Sequence, residues 1–410
     1  MKKREILDIS KRPSYNMWIV LLFLCAFGLL MVFSATAYEA SLSKVCEYDS
    51  LYYVKRQASF MIAGFVFAFL AQYFNYHLLY KFKFPFIIYL FGLGCILLLK
   101  TGMGVTVNGA TRWLSIGGQR FQVAELVKIT VIIFLAYMVR RYQTKFPPNR
   151  KNRSLYTKEQ LVYLAMIWLS GLIPAAMIFK ISKDLSSALV IVGITVGIAF
   201  ICIKDLRVQL GVIAAAFIGV AVYLVSFANH LPSAEELETA SFRVGRIAAW
   251  LAPEAYATDQ GYQVLQSLYA IGRGKFFGVG IGSSLQKFKM PEAQNDMIFA
   301  IICEELGVFG AIVLIFLFVY LLYQIMRVAM KGDGLFGSVL ATGVFLHIAI
   351  QVAINIAVSC NMFPNTGLPL PFISYGGTAV FLQLLEMALV FSVERRSFGK
   401  EFARDVRMRG

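Results

Sequence analysis

Asp296 is the carboxylate whose sequence setting best suits acid–base chemistry. It follows a polar segment and opens a long apolar run, within the stretch Pro291–Ala300. Partial desolvation at such a junction raises the pKa of a carboxylate toward the range useful for a general base. The position also suits an N-cap, and position alone favours that structural role. Glu304 and Glu305 lie about two turns deeper, where capping cannot explain them.

A second group of residues joins two arginines to an ion pair. Glu125 and Lys128 are three residues apart, so in a helix they share one face and can pair inside a membrane. Arg112 and Arg120 lie beside Trp113 and several glycines, and guanidinium groups suit an anionic phosphate. Anchoring of Arg and Trp at a membrane interface is the alternative.

Further charged residues are expected on the same side as Asp296. Asp184 opens another apolar run. The long polar segment before Asp296 adds Arg243, Arg246, Lys287 and Lys289. Carboxylates that converge with arginines and lysines predict an anionic substrate, and at a membrane a lipid bearing a pyrophosphate fits best.

The stretch Gly367–Gly377, which includes Ser374, is rich in proline and glycine. At the edge of a membrane span, such a composition predicts non-helical backbone that lines a cavity. A tight turn between two spans is the alternative.

Composition sets the fold class that must position these residues. The 410-residue chain is 59% hydrophobic and only 15% charged, and its mean hydropathy is +0.68. Apolar runs of about twenty residues recur, which is the length that crosses a bilayer core. Lipid offers no partners to unpaired backbone groups, and alternation of period two is absent. The sequence therefore predicts an all-α polytopic integral membrane protein.

About ten transmembrane helices are expected, with both termini on one side. The predicted spans are 16–36, 57–76, 84–100, 121–139, 161–180, 185–203, 208–228, 296–323, 335–359 and 374–393. Basic residues concentrate in the termini and in the segment 140–160, which places these parts and both termini in the cytoplasm. One extracytoplasmic loop, residues 229–295, is long enough to be functional. Its apolar stretches, Phe242–Leu251 and Gly261–Ile271, predict amphipathic or re-entrant helices at the membrane surface.

The composition also excludes several function classes. The net charge of +16 follows the positive-inside rule, so it does not indicate nucleic acid. The glycines between 272 and 282 do not form a nucleotide-binding fingerprint. The six cysteines and three histidines show no metal-site spacing. No cofactor is required by the sequence, and a divalent cation that assists a pyrophosphate stays an open alternative.

Taken together, these motifs resemble the SEDS family (shape, elongation, division and sporulation) over nearly the whole chain. The resemblance rests on Phe33–Ala35, Gly109–Trp113, Phe121–Glu125, Gly261–Gln263, Gln266–Ser267, Asn295–Ala300, Glu304–Gly307 and Gly367–Gly377. The resemblance is closer to the division and sporulation branch than to the elongation branch.

The resemblance implies a glycosyltransferase in a bacterial cytoplasmic membrane that polymerises lipid II into glycan strands on the outer face. Asp296 would be the general base toward the acceptor's 4-hydroxyl. The expected substrate-binding residues are Arg112, Arg120, Glu125, Lys128, Asp184, Lys287 and Ser374. The implied protein partner is a class B penicillin-binding protein, a transpeptidase, with other division or elongation proteins and membrane lipids around it.

The chain departs from the family pattern at small or similar residues. Asn295 and Met297 replace the usual Thr and Phe beside Asp296. Val123–Ala124 replaces Pro-Ser, Ser186–Ser187 replaces Gly-Thr, and Thr378–Ala379 replaces Ser-Ser. The charged residues are retained, which implies a divergent but active member.

Two other function classes fit parts of the sequence. A lipid II flippase would need charges along a path to the cytoplasm, whereas the informative carboxylates lie mainly at the outer face. Transporters also tend to show internal repeats, and no convincing repeat is present. A scaffold of the division complex would leave Asp296 as a helix cap only.

Overall fold

The structure is a computed structural model of the full chain. It describes residues 15–81, 83–107, 110–147, 157–202, 207–229, 242–258, 260–332 and 334–408. Parts of the sequence expectations fall outside these ranges, including residues 230–241 and 259 of the long loop, part of the basic segment 140–160, and both chain ends.

Helices account for most of the described chain, and their bounds follow the apolar runs. They are α1 (Tyr15–Leu42), α2 (Tyr52–Ala71), α3 (Phe84–Leu98), α4 (Val123–Lys145), α5 (Lys158–Met177), α6 (Leu185–Cys202), α7 (Arg207–Ala228), α8 (Phe242–Leu251), α9 (Gln260–Gly274), α10 (Ile298–Lys331), α11 (Leu335–Ser359) and α12 (Gly377–Met408). This all-α architecture is the predicted one.

The helices carry the length and the surface of a multi-pass membrane protein. Among the described residues, six are long and apolar enough to cross a bilayer: α1, α2, α10, α11, α5 with the turn that follows it, and α12 as far as Ser397. Two shorter apolar helices are Phe84–Leu98 and Leu185–Ile201. Large apolar side chains such as Phe23, Leu70 and Phe316 are more than half exposed, as expected of surfaces that face lipid. The count of ten crossings stays a prediction.

Helix α4 occupies the centre of the bundle. From Val123 to Val139 almost every side chain is buried, including the charged Glu125 and Lys128. Helices α3, α5, α11 and α12 pack around it. A helix that is buried on all sides has no face in water, so the two charged side chains on it require a structural or functional explanation.

A proline changes the backbone geometry at the end of α5. Pro174 has no N–H to donate to the carbonyl of Ser170, and the hydroxyl of Tyr89 donates to that carbonyl instead, at 2.9 Å. The helix then widens into a π turn, Ile178–Ser182, and Lys183 ends it with a left-handed φ of 57°. This turn leads into α6, so Asp184 lies at the N-terminus of α6.

A small antiparallel sheet, which the sequence analysis did not predict, lies between α3 and α4. Its strands are β1 (Gly104–Val107), β2 (Ala110–Ile116) and β3 (Gln119–Gln122), in the order β1-β2-β3. Gly117 and Gly118 both have positive φ, as a two-residue type I′ turn requires. The sheet places Arg112 on β2 and Arg120 on β3, so both arginines sit on a fixed scaffold.

The segment between α7 and α10, which the sequence predicts to be extracytoplasmic and which is called the outer loop for that reason, contains the two predicted helices, α8 and α9. It packs against a break in α10. At Gly307 the backbone leaves helical geometry, with φ 68° and ψ −170°. The carbonyls of Glu304 and Glu305, freed by the break, accept the N–H groups of Val279 and Gly280 at 3.0 Å each. The loop thereby satisfies backbone groups that a broken helix would leave unpaired.

The side chains of the two glutamates fasten the same loop. Glu304 pairs with Arg273 at 2.8 Å and accepts the N–H of Leu285 at 3.1 Å. Glu305 pairs with Lys287 at 3.2 Å and accepts the hydroxyl of Ser34 at 2.6 Å. Both glutamates are 0% exposed, so their role in the structure is to hold the outer loop.

The Gly307→Ala substitution is expected to destabilise the protein. A Cβ at this position would lie 2.4 Å from both the nitrogen of Gly278 and the carbonyl oxygen of Phe276. The φ/ψ region is accessible essentially only to glycine and costs other residues about 1–3 kcal/mol, before any clash. The thermal midpoint in detergent should fall by several degrees. Gly272→Ala is the control, because Gly272 is exposed and has no atom within 4 Å of a built Cβ. Equal midpoints for the two variants would contradict this account of the break.

Candidate active site

One cavity of about 1020 Å³ brings together several of the charged residues that the sequence analysis expected on the outer face. Its walls come from the sheet, the π turn, α8, α9, the segment before α10 and the loop before α12. The charged side chains that line it are Arg56, Arg112, Arg120, Lys180, Lys183 and Arg246, with Asp184, Glu292 and Asp296. The positive side chains outnumber the negative ones, so the cavity attracts an anion.

Three of these side chains converge on Gly367 at the cavity wall. A Cβ built on Gly367 would lie 3.8 Å from an oxygen of Asp296, 3.8 Å from a guanidinium nitrogen of Arg246 and 3.9 Å from one of Arg112. Its φ of 71° also favours glycine. The missing side chain leaves room for a ligand group at the point where one carboxylate and two guanidinium groups meet.

Asp296 is not the cap of α10. The helix begins at Ile298 with Met297 in the N-cap position, and no side-chain capping bond is present. The carboxylate of Asp296 instead accepts a long hydrogen bond, 3.4 Å, from the amide of Gln263. The structure therefore contradicts the helix-cap role that the sequence position of Asp296 alone favoured.

Desolvation by the surrounding protein raises the pKa of Asp296 to about 6. Arg246 opposes this rise electrostatically, and Arg112 does so to a smaller extent. The side chain keeps partial exposure toward the cavity. A carboxyl group with such a pKa is mostly ionised at neutral pH and is still basic enough to accept a proton in a transition state.

A chain of side-chain amides holds Asp296 and the Gly367 loop together. Asn365 donates to Gln263 at 2.9 Å, and Gln263 donates to Asp296. The amide of Asn355 donates to two backbone carbonyls, those of Asp296 and Leu368, at 2.8 Å each. These bonds fix the carboxylate relative to Gly367 without neutralising its charge.

Asp184 lies in the cavity wall and also caps α6. Its carboxylate accepts the N–H of Ser187 at 3.1 Å and the hydroxyl of Ser187 at 2.8 Å. Its second oxygen lies 4.0 Å from Nε of Arg112. That Nε is buried and has no hydrogen-bond partner among the described residues.

Of the next predicted site residues, Arg120 lines the cavity, and Glu125, Lys128 and Lys287 are buried outside it. Arg120 lines the cavity and is exposed. Glu125 and Lys128 form the predicted ion pair, at 2.6 Å, but both are buried behind the cavity wall. Lys287 lies in the Glu305 network, where it also donates to the carbonyls of Ser34 and Gly282. It does not line the cavity.

Ser374 supports the cavity wall and does not face the cavity. Its hydroxyl accepts the N–H of Leu370 at 2.7 Å. Gln57 donates to the carbonyl of Ser374 at 2.9 Å and accepts the N–H of Gly376 at 2.8 Å. The side chain of a buried glutamine on α2 thus fixes the turn that leads into α12.

Comparisons with known proteins place the chain in a family. The model of the FtsW, RodA and SpoVE proteins, described as cell cycle protein, matches residues 14–398. A probable peptidoglycan glycosyltransferase FtsW of Trichlorobacter lovleyi is 32% identical over 397 residues, covering 95% of this chain and 96% of the relative. Stage V sporulation protein E of Bacillus subtilis is 33% identical over 389 residues, covering 94% and 98%. The chain belongs to the FtsW/RodA/SpoVE family.

Two solved structures share the fold of this FtsW/RodA/SpoVE protein. One comes from work on the structural coordination of polymerization and crosslinking by a peptidoglycan synthase complex. It has a TM-score of 0.70 at 20% identity and covers 94% of this chain and 98% of that chain. The other is the rod shape determining protein RodA of Thermus thermophilus, with a TM-score of 0.63 at 21% identity, covering 94% and 97%.

Several cavity residues of this FtsW/RodA/SpoVE chain were not singled out from its sequence. They are Arg56, Lys180, Lys183 and Glu292, and Arg246 was counted only as a charge of the outer loop. Lys180 and Lys183 reach the cavity through the π turn, which follows from Pro174. The sequence signal that could have indicated these two lysines is a proline shortly before a charged segment at the end of a span. Among the described residues, no cluster of three or more His, Cys, Asp or Glu side chains is placed to hold a metal ion.

Gly367→Ala is expected to weaken ligand binding at this site while the bundle stays folded. The new methyl group would occupy the point shared by Asp296, Arg246 and Arg112, and the positive φ adds about 1 kcal/mol of strain. Binding of a soluble pyrophosphate, measured by calorimetry on the detergent-solubilised protein, should weaken at least tenfold. Gly376→Ala is the control, because Gly376 has an ordinary φ and only an Ala379 methyl group near a built Cβ, at 3.6 Å. Undiminished binding by the Gly367 variant would place the anion elsewhere.

Proposed function

We propose that this protein is a peptidoglycan glycosyltransferase that polymerises lipid II at the outer face of the bacterial cytoplasmic membrane. The observation that carries the proposal is the position of Asp296, a carboxylate with a pKa of about 6 that meets Arg112 and Arg246 at Gly367. A base and two anion-binding groups at one point are what transfer of a sugar from a pyrophosphate requires. The names of the relatives as peptidoglycan glycosyltransferases support the same reaction.

In this reaction Asp296 acts on the acceptor. The carboxylate takes the proton of the acceptor's 4-hydroxyl as the oxygen attacks the anomeric carbon of the lipid-linked donor. The bond between that carbon and the pyrophosphate oxygen breaks, and undecaprenyl pyrophosphate leaves with the electron pair. At neutral pH, a pKa of about 6 leaves roughly nine in ten Asp296 side chains ionised and ready to accept the proton.

The basic residues act on the leaving group. Negative charge grows on the pyrophosphate as the bond breaks, and cations already in place stabilise it without reorganisation. Arg112 is held by the sheet and Arg246 by α8, so both guanidinium groups are positioned before the substrate arrives. Lys180, Lys183, Arg56 and Arg120 extend the positive wall of the cavity. A divalent cation on the pyrophosphate is an open alternative that a chelator would test.

The partner and the orientation belong to the same proposal. A transpeptidase, a class B penicillin-binding protein, would crosslink the strand as it forms. The likeness in fold to a chain from work on a peptidoglycan synthase complex supports that expectation. Both termini would lie in the cytoplasm and the cavity outside, where lipid II is presented. The FtsW and stage V sporulation relatives favour a role in division or sporulation.

The Asp296→Asn variant is expected to lose glycan synthesis. The amide keeps the size and the bond to Gln263 but cannot accept the proton, so the rate should fall at least ~100-fold. The measurement is polymerisation of purified lipid II, with and without the transpeptidase. Asp49→Asn is the matched control, since Asp49 is a carboxylate of an exposed pair with Lys55. Equal product from both variants would remove Asp296 as the base. No product from the wild type, even with the partner, would favour a flippase or a scaffold.

The pH dependence of the rate should report the same carboxylate. The base must be ionised, so kcat should rise with pH and level off above an apparent pKa of about 6. Arg246 lowers the pKa of Asp296, and Arg246→Gln should therefore move the midpoint to higher pH as well as reduce the rate. An acid limb with an unchanged midpoint in this variant would assign the titration to another group.

A further inference from the structure

A second set of ionisable side chains lies behind the cavity, between α4, α11 and α12. His347 Nδ1 is 2.6 Å from an oxygen of Glu386, and His347 Nε2 is 4.0 Å from an oxygen of Glu125. Glu125 pairs with Lys128 at 2.6 Å. All four side chains are at most 2% exposed. Burial of this kind demands that their charges balance.

Gln351 reveals where one proton of His347 lies. Its side-chain nitrogen donates to the carbonyl of Pro369 at 3.0 Å, which fixes the orientation of the amide. The amide oxygen therefore faces Lys128, at 2.8 Å, and Nε2 of His347, at 2.9 Å. An amide oxygen only accepts hydrogen bonds. Nε2 of His347 must then carry a proton and donate it.

The short contact on the other side of the ring places a second proton. Nδ1 of His347 and an oxygen of Glu386 are 2.6 Å apart, a distance that needs a hydrogen between them. The proton can belong to an imidazolium or to a carboxylic acid, and the net charge of the pair is zero in both cases. Together with the Glu125–Lys128 ion pair, the cluster is neutral.

We propose that His347 and Glu386 are positioning residues that share one proton, and that they keep the cluster behind the cavity neutral. Through Gln351 the cluster holds the carbonyl of Pro369, and Leu368 and Gly367 beside it line the cavity. Helix α12 carries Glu386 and begins with Gly377 and Thr378 at the cavity wall. The effect on catalysis rests on the proposed glycosyltransferase function, whereas the protonation of His347 does not.

His347 and Glu386 should respond differently to substitution, which makes the proposal testable. In Glu386→Gln, the ring can drop one proton and accept a hydrogen bond from the new amide at Nδ1, so the cluster stays neutral. In His347→Asn, Glu386 loses the ring that shares its proton, and it must either become an uncompensated buried charge or take up a proton at a free-energy cost. The double variant removes the carboxyl group and with it that cost. A shared proton therefore predicts that Glu386→Gln rescues His347→Asn.

The first readout is the protonation of His347 in the detergent-solubilised full chain labelled with ¹⁵N-histidine. The chain has only three histidines, so His347→Asn identifies the signal. Nε2 should carry a proton, and the Nδ1 signal should change in Glu386→Gln, where the shared proton is lost. An Nε2 without a proton, or an Nδ1 signal that Glu386→Gln leaves unchanged, would overturn the proposal.

The second readout is the rescue, measured on thermal midpoint and on lipid II polymerisation. His347→Asn should lower kcat at least tenfold and lower the midpoint, Glu386→Gln should change kcat less than threefold, and the double variant should recover most of both losses. Additive losses would show that the two side chains fill space independently. Absence of glycan from the wild type would count against the proposed function, while the ¹⁵N signals and the midpoints would still decide the proton-sharing proposal.

Discussion

A charge that leaves water must keep a partner, and in a membrane bundle this constraint decides where polar side chains can stand. Glu304 and Glu305 are 0% exposed and are stabilised by Arg273 and Lys287 of the outer loop. Because the partners come from the loop, the glutamates fix its path across α1 and α10. That path ends at Asp296. The position of the candidate base therefore depends on ion pairs that do not touch the cavity.

The interactions of Asp296 differ from those of Glu304 and Glu305. Its hydrogen bonds come from neutral amides at the carboxylate and at the backbone, and its cationic neighbours Arg112 and Arg246 are placed around an open point at Gly367. A close ion pair would hold the pKa low and occupy the anion site. Desolvation instead keeps the pKa of Asp296 at about 6. The buried ion pairs of Glu304 and Glu305 thus hold the backbone in place, whereas the cavity contains the carboxylate that can react.

Apolar runs and the placement of basic residues were enough to predict the all-α membrane fold, and the Glu125–Lys128 pair followed from helical spacing alone. Asp296, Arg112, Arg120 and Asp184 were rightly expected on one side of the bundle. Lys287 was misplaced in the cavity because sequence position cannot reveal that Glu305 lies opposite it. Ser374 was likewise expected to bind substrate, and its hydroxyl bonds to Leu370 instead. Such pairings join residues far apart in the chain, whose approach depends on the packing of the whole bundle.

The departures from the family pattern acquire physical roles in the structure. Ser187 stands where the family usually has Thr, and its hydroxyl still donates to Asp184. Thr378, in place of Ser, donates to the carbonyl of Arg120 at 3.0 Å and so joins α12 to the sheet. Asn295 bonds to Glu292 at 2.9 Å, while Met297 is fully buried and extends the apolar packing below Asp296. Each of these four replacements keeps a hydrogen-bonding group or an apolar volume at its position, whereas Ala124 and Ala379 lack the hydroxyl of the Ser usual in the family. The geometry around Asp296 therefore tolerates these four replacements, because what the site requires is a fixed carboxylate beside a positive cavity wall.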